Sequence, residues 1–268
     1  MRKIWLITLN TLAEMRQQRI IWVALLMALV IGMVSLAPLL IFDQVRAAGQ
    51  DAIAERMGTM IVYGMVQAWA AAAYVLAIMQ SSTAVSSELR SKTIVSLLAR
   101  PLERWQYLLG RLLGIQLMAF GVFFFGLLIG FATALWFGVP LSAMVVPKLA
   151  ENAVAIVFGA NVSFALGILL PSQVAVLGTL LLPHLATLTQ ALGNVGDETL
   201  TLVAKILYYI APARMPPDLI GSAQAEALAP RYDLFLMVLA ENLLYATAFL
   251  WIACWWFGRR EIRLGTGD

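Results

Sequence analysis

Between Ser86 and Gly114 the chain gathers five basic side chains, Arg90, Lys92, Arg100, Arg104 and Arg111, against two acids, Glu88 and Glu103. Mid-bilayer, each cation would cost about 2.5–3.5 kcal/mol, well over roughly 10 kcal/mol together. The segment therefore stays outside the membrane core, and its chemistry is polar contact with another surface. Catalytic chemistry finds little to work with. There is one histidine, His184, and one cysteine, Cys254, and no H-E-x-x-H, G-x-S-x-G or G-x-x-x-x-G-K-[ST]. No enzymatic activity, resident cofactor or metal site is expected in this chain.

Local structure must hold those charges in place. Ile94, Leu97 and Leu98 recur at i, i+3, i+4 and give one apolar face, with Arg90, Lys92 and Ser96 elsewhere. Pro101 ends that helix, because proline lacks the amide donor and clashes with the preceding turn. A second helical pattern starts at Glu103 and runs through Trp105, Leu108, Leu109 and Leu112 into the next apolar run. Spacing alone fits both a docking handle and an ordinary positively charged loop.

The order Glu88, Lys92-Thr93-Ile94, Leu97-Leu98-Ala99-Arg100-Pro101, Arg104, Tyr107-Leu108-Leu109-Gly110-Arg111 and Gly114 resembles the loop after the second membrane helix in ABC transporter permeases of the exporter-type ABC-2 (type V) family. The specific match covers this loop, and the helix order extends it loosely over the chain. The resemblance implies that the loop is a cytoplasmic coupling helix that touches separate ATP-binding subunits, two per transporter, which bind ATP and Mg. It also implies a second permease copy or a homologous permease beside this one. Glu88, Arg90, Lys92, Thr93, Arg100 and Arg104 would supply the polar ATPase contacts, and Ile94, Leu97 and Leu98 the apolar anchor.

Composition sets the class independently. Hydrophobic residues make up 62% and charged residues 12%, against roughly 25% charged in soluble domains. The expected fold is an all-α integral membrane domain spanning 1–268. Six runs near the ~20 residues a crossing needs fall at about 20–42, 58–80, 112–137, 149–170, 174–192 and 236–257. Twelve of the 18 basic residues lie before the first run, in the 86–114 loop or after the last run. By the positive-inside rule both termini and that loop are cytoplasmic, in a plasma membrane of the bacterial inner-membrane type. The net charge of +3 is too small to suggest nucleic acid.

Outside the spans two more helices are expected. Residues 1–19 mix charge with Ile4, Trp5, Leu9, Leu12 and Met15, which suggests an amphipathic helix on the cytoplasmic surface; a basic tail is the alternative. They do not read as a signal peptide, since Glu14, Arg16 and Arg19 interrupt the short apolar stretch. In 193–235, Leu200, Leu202, Val203, Ile206, Leu207 and Ile210 make an apolar face ended by Ala211-Pro212. This reads as a short external interfacial or re-entrant helix, with a plain external loop as the alternative.

Within the spans, Gly110/Gly114 and Gly126/Gly130 each form G-x-x-x-G, and Ala68 and Ala70–Ala73 smooth the second span. Such surfaces let helices approach closely in lipid, and contact within one subunit is preferred to dimerisation. Polar groups at depth are few. His184 follows Pro183 and could satisfy a freed carbonyl or stand in a substrate pathway. Asn161, Ser163, Gln67 and Gln80 suit interhelical hydrogen bonds, and Asn161 and Gln67 are also pathway candidates. Glu241 reads as a headgroup residue, and Trp251, Trp255 and Trp256 as an interface belt. The function expected is an ATP-driven export permease; a secondary transporter or channel, or a non-transporting scaffold, stays open as an alternative.

Overall fold

The computed structural model describes residues 2–17, 51–90, 103–136, 145–185, 198–210 and 232–259, with isolated positions at 22, 26, 29, 30, 33, 44, 47–49, 138 and 189. Among these residues the chain is helical and has no strand. The helices are α1 (Arg2–Gln17), α2 (Asp51–Arg90), α3 (Arg104–Trp136), α4 (Val145–Leu169), α5 (Ser172–Leu181), α6 (Glu198–Ile210) and α7 (Tyr232–Arg259). A 3-10 turn, Leu182–His184, follows α5.

Among the described residues, four stretches are long and apolar enough to cross a bilayer: Ile61–Glu88, Arg104–Trp136, Val146–Leu169 and Phe235–Arg259. They correspond to the second, third, fourth and sixth apolar runs, and each extends past at least one end of the stretch read from sequence, the fourth by only three residues at its start. The first run lies mostly outside the described residues; Trp22, Leu26, Leu29, Val30 and Met33 within it are helical and exposed. The fifth run starts as α5 but leaves α geometry at Leu182, where Pro183 cannot donate to the preceding turn. At the far end of α3, Gly138 takes the left-handed φ of 63° and its amide bonds the Leu135 carbonyl at 3.2 Å, closing the helix.

Helix directions follow from the contacts. Ser163 on α4 donates to the Ile78 carbonyl on α2 at 2.8 Å, and Gly159 and Gly167 lie against Tyr74 and Ser82. Residue numbers rise together along this seam, so α2 and α4 run parallel. α3 is antiparallel to both, since Trp69 covers Gly126 at one level and Glu88 meets Tyr107 at another. α7 joins the α2/α4 direction: Asn161 donates to the Ala246 carbonyl, and Arg104, at the start of α3, reaches the end of α7. The core comprises Trp69, Leu108, Phe123, Phe164 and Phe257, all buried. α4 is central and largely buried, whereas α7 is peripheral and mostly uncovered. Phe124, Leu128, Leu244 and Trp251 lie exposed on the outside, as expected where lipid replaces water as solvent.

α6 confirms a helix where the 193–235 segment suggested one. Ala204 is buried while Leu202, Val203 and Lys205 are exposed, so part of its apolar face is not covered by the chain.

Candidate functional site at the roots of the 91–102 loop

α2 does not stop at its apolar limit. It continues through Ser82, Thr83, Ser86 and Ser87, whose hydroxyls bond carbonyls of their own helix: Ser82 to Met79 at 2.9 Å, Thr83 to Met79 at 3.1 Å, Ser86 to Thr83 at 3.3 Å and Ser87 to Ala84 at 3.4 Å. A short polar side chain satisfied in this way can stay helical near a membrane surface. The helix thus carries Glu88 inward before ending at Arg90. On the other side of the loop, Glu103 starts α3. Its carbonyl accepts from the Gln106 and Tyr107 amides at 3.0 and 3.2 Å, and its carboxylate accepts from the Trp105 and Gln106 side chains. A negative charge at that position suits the positive end of the helix dipole.

Arg111, two turns into α3, joins three helices. Its Nη2 pairs with Glu88 Oε1 on α2 at 2.7 Å, and its Nη1 pairs with Glu14 Oε2 on α1. Nη1 also approaches Thr11 Oγ1 at 3.4 Å, and the Tyr107 hydroxyl donates to the other Glu88 oxygen. The side chains of Arg111 and Glu88 are 10% and 11% exposed, while Glu14 is 48% exposed. One cation therefore sits between two carboxylates, one enclosed and one near solvent. Isolated charges at such burial would cost several kcal/mol each, so the pairing is what makes their burial tolerable.

The seam that brings α1 to this point is built from small residues. Thr8, Thr11 and Met15 form the buried face of α1, and Thr8 donates to the Gly110 carbonyl at 3.1 Å. A Cβ at Gly110 would stand 2.7 Å from Ile7 Cβ, and one at Gly114 would stand 2.6 Å from Thr11 Cβ. The first G-x-x-x-G is thus consumed inside the chain. Trp5, Leu6 and Leu9, on the opposite side of α1, are left exposed. In the second motif Gly126 is covered by Trp69, but Gly130 has open space around it.

Several candidate residues turn out to have internal partners. Glu88, read from sequence as an outward contact, is buried and held by Arg111 and Tyr107, because α2 remains helical up to it. Arg104 donates from Nη1 to the Phe257 and Gly258 carbonyls at 3.3 and 3.1 Å. It neutralises the carbonyl end of α7, where a cation is favourable. Lys92, Thr93, Ile94, Leu97, Leu98 and Arg100 lie outside the described residues, as does the side chain of Arg90.

The pathway candidates are not gathered. Asn161 is buried, accepting from Gln116 Nε2 at 2.7 Å and donating to the Ala246 carbonyl at 3.2 Å. Gln67 is exposed on α2 and His184 is exposed in the 3-10 turn. Asn161→Leu is expected to lower stability by about 1 kcal/mol, the range of interhelical hydrogen bonds in membranes. His184→Ala and Gln67→Ala should stay within about 0.5 kcal/mol of the parent, as exposed substitutions do. Thermal unfolding in detergent checks all three.

Sequence reasoning gave no contact role to Glu14, nor to Tyr107 and Arg111, which it named within the family pattern without a role. Ser163, read as an interhelical hydrogen bond, makes one to Ile78; the glycines on either side of it, Gly159 and Gly167, were missed although a signal existed, small residues four apart over two turns, the pattern that lets helices approach closely.

Two comparisons bear on the whole chain. A family model described as ABC-2 family transporter protein matches residues 5–262. No curated protein matches the chain.

Proposed function

The chain belongs to the ABC-2 family of transporter proteins, and on that premise we propose that it is the permease subunit of an ATP-driven exporter. It forms the substrate pathway as a dimer, with a second copy or a homologous permease. Separate ATP-binding subunits dock on the 91–102 loop, and hydrolysis of ATP with Mg belongs to them. The chain sits in a plasma membrane of the bacterial inner-membrane type, with the loop and both termini on the cytoplasmic side. The basic residues at those three places support this sidedness.

One observation carries the reading. The ends of α2 and α3 that flank residues 91–102, the helix α1 and the end of α7 all meet at one end of the bundle, joined through Arg111 and Arg104. A push on the loop is delivered to helices that share charged, buried contacts. Glu88 and Arg104 therefore serve inside the permease, and the outward contacts are assigned to Arg90, Lys92, Thr93, Ile94, Leu97, Leu98 and Arg100.

Affinity purification from mild detergent, with identification of the chains that co-purify, tests this. The expected result is a soluble subunit with a Walker-type ATP site. It should be lost on Leu97→Asp, while the variant still inserts in the membrane. Recovery of the protein alone across several detergents would overturn the ATP-driven reading in favour of a secondary transporter.

A further inference from the structure

We infer that Arg111 is a positioning residue that makes α1 a driven element: α1, the end of α2 and the start of α3 move as one body when the 91–102 loop is displaced. The inference deepens the proposed function and rests on it.

Arg111 offers a rigid planar fork, and its two terminal nitrogens go to different helices. The pairing with Glu88 lies two residues from the end of α2, and Arg111 itself is two turns from the start of α3. Both roots of the loop therefore meet at one guanidinium. The arm to Glu14 adds α1, which no covalent link places there: Glu14 and Arg111 are 97 residues apart.

Two further features make α1 follow α3. The first is interlock. Gly110 and Gly114 admit α1 so closely that a Cβ at either would meet side-chain carbons and the Ile4 or Thr8 carbonyl within 3.1 Å. The second is the Thr8 bond to the Gly110 carbonyl, a hydroxyl committed across the seam rather than only within its own helix. The other face of α1 exposes Trp5, Leu6 and Leu9. An element tied on one face and apolar on the other transmits loop motion to the membrane surface.

Distance measurement between spin labels at Asn10→Cys on α1 and Thr83→Cys on α2, both exposed positions, tests this in a full-length Cys254→Ala background. In the parent a single narrow distance peak is expected, unmoved when the ATPase complex is trapped with ATP and vanadate. Glu14→Ala should lose the single peak, and Glu14→Asp, which keeps the charge, should restore it. Glu14→Gln, which keeps the shape and drops the charge, serves if Glu14→Ala does not fold. A parent peak that shifts on nucleotide trapping, or a Glu14→Ala peak as narrow as the parent's, overturns the inference. The Glu14 arm is read on the isolated permease. Failure to recover an ATPase thus counts against the proposed function alone, and an unaffected Glu14→Ala peak counts against the inference alone.

Discussion

Arg111→Ala is expected to be the most damaging single substitution among the described charged residues, at about 3–5 kcal/mol, the cost of breaking a buried ion pair by removing one partner. Both neighbours of the guanidinium are carboxylates. Its loss takes the guanidinium away from the enclosed Glu88 and from Glu14 across the seam. Arg111→Lys should recover only part of the loss, since an ammonium is a point charge and cannot reproduce a fork that reaches two helices. Glu14→Ala should be milder than Glu88→Ala because Glu14 is near solvent. Thermal unfolding of the purified protein in detergent, followed by size-exclusion recovery, gives the ranking. An Arg111→Ala variant as stable as the parent would show that the charges find other partners.

Gly167→Ala is the second large effect expected. A Cβ there would lie 2.5 Å from the Ser82 carbonyl oxygen and 2.9 Å from its carbonyl carbon and Cα. The obstacle is backbone, so no rotamer change relieves it, and α2 and α4 must separate along their seam. Overpacking of this kind costs about 1–3 kcal/mol, and separation would also strain the Ser163 bond to the Ile78 carbonyl. Gly121→Ala is the control. Gly121 is exposed in the same type of helix with nothing within 4 Å of a Cβ. There alanine should stabilise, by about 0.5–1 kcal/mol in helix propensity. Opposite signs for one chemical change would establish that clearance, rather than glycine content, sets the packing. The same unfolding assay reads both.

These two cases show where sequence reading reaches and where it ends. The small residues at 159, 163 and 167 were legible as a periodic pattern, because lipid offers no hydrophobic drive between helices and close approach must replace it. Which helix uses the pattern was not legible: α2 is more than 80 residues away in sequence and could equally have been any other span. Gly110 and Gly114 likewise announced a close contact, but only the fold identifies α1 as its partner and leaves Trp5, Leu6 and Leu9 outside.

Charge behaved differently from hydrophobicity. The sum and clustering of basic residues lead to the expectation that the 86–114 segment lies outside the membrane core, because burying an unpaired cation in lipid is costly. The fate of each charge depends on angstroms. The family resemblance implies outward contacts for Glu88 and Arg104. Tertiary structure encloses the first against Arg111 and spends the second on the carbonyls closing α7.

By itself, then, the sequence determined a helical membrane chain and the apolar runs that, among the described residues, make four helices long enough to span. These follow from composition, period and the solvation of charge, which are local quantities. Only the tertiary structure decided that Glu14, Glu88, Tyr107 and Arg111 meet, because an ion pair between residues 97 positions apart exists only once three helices have packed, and no local pattern encodes that distance.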